Sequence, residues 1–313
     1  MSVTRLLRNP DSWLSQFLQE NVNPNAAAAF IADANSRLPE PSSAPADVDY
    51  LLSGMAFTYA FRFWVSPDSW FDTVGYRGAE SLAVNEFIHY LVNELSSHTA
   101  GLTDKDWNHR LAMASCIMAK FDAHQRGRKI KPQTGLLLMD DAGNVDSTKL
   151  GINLASVKDV SRLIPTIPEA WGTSGLAKPI DLESNQTFHW SRACGGGDAQ
   201  MIIEGSLVEI KTSVRRHPMD LTSLYQQICY YLMDKSDEYR INRVIWYWSR
   251  HRSTLTVLIS SLIKNPAQLR RKFSEAASEN GIQKDSDSRF RDPILDRIWK
   301  NWESDAAAGD WRW

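Results

Sequence analysis

The sequence predicts an α/β protein: a mixed sheet flanked by helices in residues 134–313, preceded by an α-helical region in residues 1–133. Three observations predict this class. Apolar residues recur at the 3.6-residue helical period from about residue 10 to residue 130; short alternating runs begin near Thr187; and one amphipathic segment of helical length, Asp220 to Asp234, lies between two pairs of those runs. Strand pairs separated by a helix argue for a mixed sheet with covering helices.

Taken in order, the helical period appears in Trp13–Leu18, Val48–Val65, Ser81–Leu95 and Trp107–Phe121. Residues 36–49, rich in Pro, Ser and Ala, read as a connector. A basic stretch (124–131), a short apolar run (Leu136–Met139) and an acidic turn (140–146) follow, and then a helix or helix pair over Ser156–Trp171. The alternating runs are TFHWSRA (187–193), AQMIIE (199–204), SLVEIKT (206–212), RVIWYWS (243–249) and TLTVLI (254–259). Two further helices are expected at Pro266–Ala277 and Pro293–Trp302.

Bulk properties remove several function classes. A net charge of -2 generates no field that draws in nucleic acid, so any such contact uses local basic patches. Three cysteines, widely and irregularly spaced, fit neither a disulfide framework nor a CxxC metal site, and point to a reducing, cytoplasmic setting. Seven scattered histidines without paired spacing argue against zinc. The N-terminal segment lacks an export signal, and no apolar run is long enough to span a bilayer. The groups Arg126, Arg128, Lys129, Lys131 and Lys264, Arg270, Arg271, Lys272 read first as solvated faces, and second as tracks for a DNA backbone.

The segment that carries chemistry is GGGDAQMIIEGSLVEIKTS, residues 195–213. Two strands joined by a tight Gly-containing turn place Asp198, Gln200, Glu209 and Lys211 on one face, and Met201, Ile203, Val208 and Ile210 on the other. Opposed Cβ atoms lie about 5 Å apart, so Asp198 and Glu209 are positioned to share one hard divalent cation, with the Ile210 carbonyl as a third oxygen. Such a cation acidifies a water and offsets charge on a phosphodiester, while Lys211 orients the nucleophile or stabilises the transition state. Three glycines before Asp198 leave room for a nucleic-acid backbone. The plain alternative is a solvated strand face with a cross-strand ion pair.

Asp198, ten intervening residues and Glu209-Ile210-Lys211 resemble the signature of the PD-(D/E)xK nuclease superfamily. Gln226-x-x-x-Tyr230 on the next helix resembles the accessory motif of its RecB-type branch, and the resemblance spans roughly residues 187–260. It implies a restriction-endonuclease-like fold and catalytic roles for Asp198, Glu209, Lys211, Gln226 and Tyr230. It further implies a metal site of Asp198, Glu209 and Ile210, joined by an upstream helical acid for which Glu86 and Glu80 both qualify. On the helix, Thr222, Gln226, Tyr230 and Asp234 form a polar stripe, and Leu221, Leu224, Ile228 and Leu232 a packing stripe.

The function this implies is Mg²⁺-dependent cleavage of DNA, with Mn²⁺ as a substitute, in antiviral defence against foreign DNA and alongside protein partners of a multi-subunit defence or repair system. The rival is a catalytically silent nucleic-acid-binding or scaffold subunit of the same fold.

Overall fold

In the computed structural model, residues 3–82, 84–97, 104–127, 150–174 and 182–285 are described. The expected elements at Leu136–Met139 and Pro293–Trp302, the boundary at 133/134 and the basic residues Arg128, Lys129 and Lys131 lie outside them. The helices are α1 (Val3–Arg8), α2 (Trp13–Asn21), α3 (Pro24–Ser36), α4 (Tyr50–Val65), α5 (Val74–Ser81), α6 (Asn85–Ser97), α7 (Lys105–Gln125), α8 (Leu154–Leu163), α9 (Ile167–Gly172), α10 (Leu221–Met233), α11 (Ile259–Leu262) and α12 (Pro266–Asp285). The strands are β1 (Glu183–Ser184), β2 (Met201–Ile203), β3 (Ser206–Lys211), β4 (Arg243–Trp248) and β5 (Ser253–Leu258).

The protein is α/β, with one open mixed sheet in the order β1-β2-β3-β4-β5. Neighbours are antiparallel except β3 and β4, which run parallel. A parallel pair needs a crossover, and α10 supplies it. The long helices start where local chemistry dictates. Asp49, Asp104 and Asp220 each accept backbone N–H bonds at the N-termini of α4, α7 and α10. The helix expected over Ser81–Leu95 is α6, which begins only at Asn85, while Ser81 is the last residue of α5. Over Ser156–Trp171 the pair is α8 and α9, parted by a 3-10 turn that carries Pro165, while Pro168 lies in the first turn of α9, where no N–H is needed.

Both faces of the sheet are buried. Met201, Ile203, Val208, Ile210, Ile245 and Tyr247 pack against Phe57 and Phe61 of α4 and Trp171 of α9. Ile202, Leu207, Val244, Trp246 and Trp248 pack in one cluster with Leu224, Ile228 and Leu232 of α10. The same cluster takes in Val3, Leu6, Leu14 and Leu18 of α1 and α2 and Phe273 of α12. A third cluster joins α4 to α7 and α8. The cores therefore cross the expected division of the chain: α1–α3 belong with α10 and α12, while α8 belongs with α4 and α7. Asn35 ties α3 down, exchanging two 3.0 Å bonds with the backbone of Met219 just before α10.

TFHWSRA is not a strand. Thr187 forms an isolated bridge with Asp198, and the chain then folds into turns: Phe188 O accepts from Ser191 N, Trp190 O from Cys194 N, and Ser191 O from Gly196 N. Gly195 and Gly196 close these turns with φ of 80° and 84°, a region that suits glycine. Apolar and polar residues alternate here, but the local turn chemistry prevails.

Candidate active site

The hairpin is built as the sequence predicts. Ile203 pairs with Ser206 across the two-residue turn Glu204-Gly205, and Met201 pairs with Val208. Both turn residues have positive φ, 48° and 71°, the combination that matches the twist of a tight hairpin. The regular ladder ends at Met201. Beyond it the Gln200 side chain bonds to β3, accepting from Ile210 N at 2.8 Å and reaching Ile210 O with Nε2 at 3.5 Å. The Ile210 carbonyl, expected as a metal ligand, is thus met by an amide. Ala199 packs with Ile202 and Leu207 rather than with Met201 and Ile203, so strict alternation also stops here.

Glu209 and Lys211 share the α10 face with Leu207. The Lys211 ammonium lies 2.9 Å from Glu209 Oε1, and Gln227 Nε2 of α10 donates to Oε2 at 3.1 Å. Trp246 and Trp248 stand beside them on β4, in register with Glu209 and Lys211. The Glu209 side chain is only 6% exposed, and Lys211 is 26% exposed. Burial pushes the Lys211 pKa down, but the Glu209 charge, its hydrogen bond and the Asp220 charge together turn the net shift upward. This charge pair, formed two residues apart along β3, is therefore sheltered, unlike the solvated cross-strand pair of the plain alternative.

Asp198 is partly exposed. Its Oδ1 accepts from Thr187 Oγ1 at 2.9 Å, and its Oδ2 faces Arg126 Nη1 at 3.3 Å. Arg126 Nε also bonds Asp122 at 2.6 Å, and Asp122 accepts from the buried Tyr59 hydroxyl at 2.9 Å. Behind this, Arg62 of α4 donates to Gln200 O at 2.8 Å, and its burial lowers its pKa. Asp198 and Glu209 meet electrostatically at Tyr230. Its pKa is driven up by burial first and then by the Glu209 charge, with Asp198 adding to the rise.

Gln226 Nε2 donates to the Tyr230 hydroxyl at 2.9 Å. Tyr230 is buried and Gln226 partly buried, so the 222/226/230/234 stripe is not an exposed face; Asp234 in turn caps the following loop through Glu238 N and Tyr239 N. Leu221 of the packing stripe is exposed, whereas Leu224, Ile228 and Leu232 are buried. Gln227 is the residue that pattern reading overlooked. It lies three residues from Leu224 and beside Ile228, so a polar side chain within the buried stripe was the available signal. Asp122, Tyr59 and Thr187 carried no comparable mark.

Glu80 ends α5 and Glu86 begins α6, and both are exposed. Among the described residues no group of three His, Cys, Asp or Glu side chains is arranged to hold a metal, so neither joins Asp198 and Glu209 in one. The upstream acid linked to Asp198 is Asp122, through Arg126. The glycine run also works differently from expectation. A Cβ on Gly197 would meet Val3 Cγ2 at 2.6 Å and Tyr230 Cε1 at 3.3 Å, so the space belongs to α1 and α10. Of the second basic group, Arg270 is buried, paired with Asp237 and stacked on Tyr231, while Lys264, Arg271 and Lys272 are exposed. All three cysteines are buried. No described helix is long and apolar enough to cross a membrane.

Compared with protein-family models, with curated proteins and with solved structures, the chain matches none of them.

Proposed function

We propose that the protein is a metal-dependent nuclease of the PD-(D/E)xK kind, with a restriction-endonuclease-like core, hydrolysing phosphodiester bonds in DNA. The observation that carries this reading is the sheltered Glu209–Lys211 pair on β3, beside the chain that leads from Asp198 into β2. The donor set suits Mg²⁺ or Mn²⁺. Asp198 and Glu209 offer hard carboxylate oxygens, and Asp198 is 20% exposed, within reach of solvent. A divalent cation held there supplies charge neutralisation on the phosphate and acidifies the attacking water.

The chain's own residues do the rest. Lys211, pinned by Glu209, presents a positive charge where the pentavalent phosphate develops negative charge. Gln227 holds Glu209 from the other side, so the carboxylate has one orientation. Trp246 and Trp248 keep water from the β4 side and strengthen the charges between them. Gln226 and Tyr230 line the α10 side. A cytoplasmic role in defence against foreign DNA, with protein partners, belongs to the same proposal by analogy of fold.

The silent-scaffold reading draws on Arg126, which already occupies Asp198. One assay separates the two. Purified protein is incubated with single-stranded, linear and circular duplex DNA and with RNA, in Mg²⁺, Mn²⁺ or EDTA. Cleavage that needs the metal and is lost in Glu209→Ala supports the nuclease; DNA binding without cleavage in any metal supports the scaffold and overturns the nuclease.

A further inference from the structure

Arg126 follows the last turn of α7 and spans two carboxylates unequally. Its Nε holds Asp122 at 2.6 Å, while its Nη1 meets Asp198 at 3.3 Å. Asp122 is fixed: its side chain is 6% exposed, and its other oxygen is bonded by Tyr59, whose hydroxyl also accepts from Gly75 N. The Arg126 side chain is 44% exposed. Burial opposes its charge, and Asp122, by charge and hydrogen bond, together with Asp198 turns the net shift of its pKa upward. The guanidinium is thus hinged on Asp122 and only loosely attached to Asp198.

The pairing has a counterpart across the site. As Lys211 sits on Glu209, so Arg126 sits on Asp198, and each acid carries its own cation. On the nuclease reading, a divalent ion held by the two acids would displace and repel both. The planar fork of arginine suits two phosphate oxygens, with one edge still anchored to a carboxylate.

Resting on the nuclease reading, we infer that Arg126 is a second basic residue of the site: it occupies Asp198 until a divalent cation binds, and then takes the phosphate of the DNA strand. Two opposite consequences follow from one substitution. Without Arg126 the acids lose a competitor and bind the cation more tightly, yet the phosphate loses a partner and cleavage slows. A merely structural arginine changes neither in this way.

The test titrates Mn²⁺ into DNA-free protein, reading free Mn²⁺ by electron paramagnetic resonance, for the parent, Arg126→Ala, Arg126→Lys and Asp198→Asn. Single-turnover cleavage at saturating Mn²⁺ is measured in parallel. Arg126→Ala is expected to bind Mn²⁺ about fivefold more tightly, the scale of a part-exposed ion pair, and to cleave about tenfold more slowly or worse. Arg126→Lys keeps a positive charge beside Asp122 but cannot bridge both acids, so it also binds Mn²⁺ more tightly and serves if the alanine variant fails to fold. Unchanged or weaker Mn²⁺ binding in folded Arg126 variants, with binding lost in Asp198→Asn, overturns the role of Arg126 and leaves the nuclease standing. No Mn²⁺ binding by the parent or any variant overturns both.

Discussion

The Gln200 side chain takes the place of a backbone rung opposite Ile210, accepting from its N–H at 2.8 Å. A strand that parts from its neighbour normally strands a buried amide, and here the glutamine satisfies it. β2 is therefore able to part from β3 while Asp198 bridges to Thr187. Gln200→Leu keeps the bulk but leaves Ile210 N–H without a partner. The expected loss is about 1–3 kcal/mol, read from the urea midpoint. An unchanged midpoint would mean that the strands close directly on one another.

Lys211→Ala tests chemistry and stability separately. As the residue that stabilises the transition state, Lys211 is expected to cost about a hundredfold or more in cleavage rate when removed, with the circular-dichroism spectrum retained. Its removal also leaves the buried Glu209 held by Gln227 alone, for a stability loss of about 1–3 kcal/mol. The folded-state pKa of Lys211 lies above its ordinary value, so its contribution is complete below that value and disappears as pH rises through the folded one. Between pH 9 and strongly alkaline solution, the parent should lose more stability than Lys211→Met. Parallel loss in the two proteins would remove the pair from the account.

Gly197→Ala probes how α1 is docked. The new methyl meets Val3 Cγ2, and Val3 is also tied by its N–H to Gly196 O at 3.0 Å. Overpacking of this kind costs about 1–3 kcal/mol. Val3→Ala alone removes contact as well, but combined with Gly197→Ala it vacates the space the methyl needs. The two losses should therefore be less than additive in a thermal-denaturation cycle. Simple additivity would show that the two sites do not touch.

Arg250 and Asp159 form an ion pair in which both side chains are almost fully buried, and Arg250 Nε also donates to Thr212 O at 3.0 Å, one residue past Lys211. Removing one partner leaves an uncompensated buried charge. Asp159→Ala is expected to cost about 3–5 kcal/mol of stability, measured by chemical denaturation. A loss below about 1 kcal/mol would indicate that water reaches the pair.

The sequence by itself determined what depends on near neighbours. The Glu204-Gly205 turn set the hairpin register, alternation put Glu209 and Lys211 together, and Asp104 and Asp220 started α7 and α10. These follow from periods of 2 and 3.6 residues and from caps that act within three positions. Tertiary structure decided the partners. Asp198 and Arg126 are 72 residues apart, and nothing in either segment marks the other. It also placed α1–α3 on α10 and left Glu80 and Glu86 exposed. Burial lies behind these outcomes, because an arginine or a carboxylate beneath a helix must find its opposite charge through space, wherever the chain has put it.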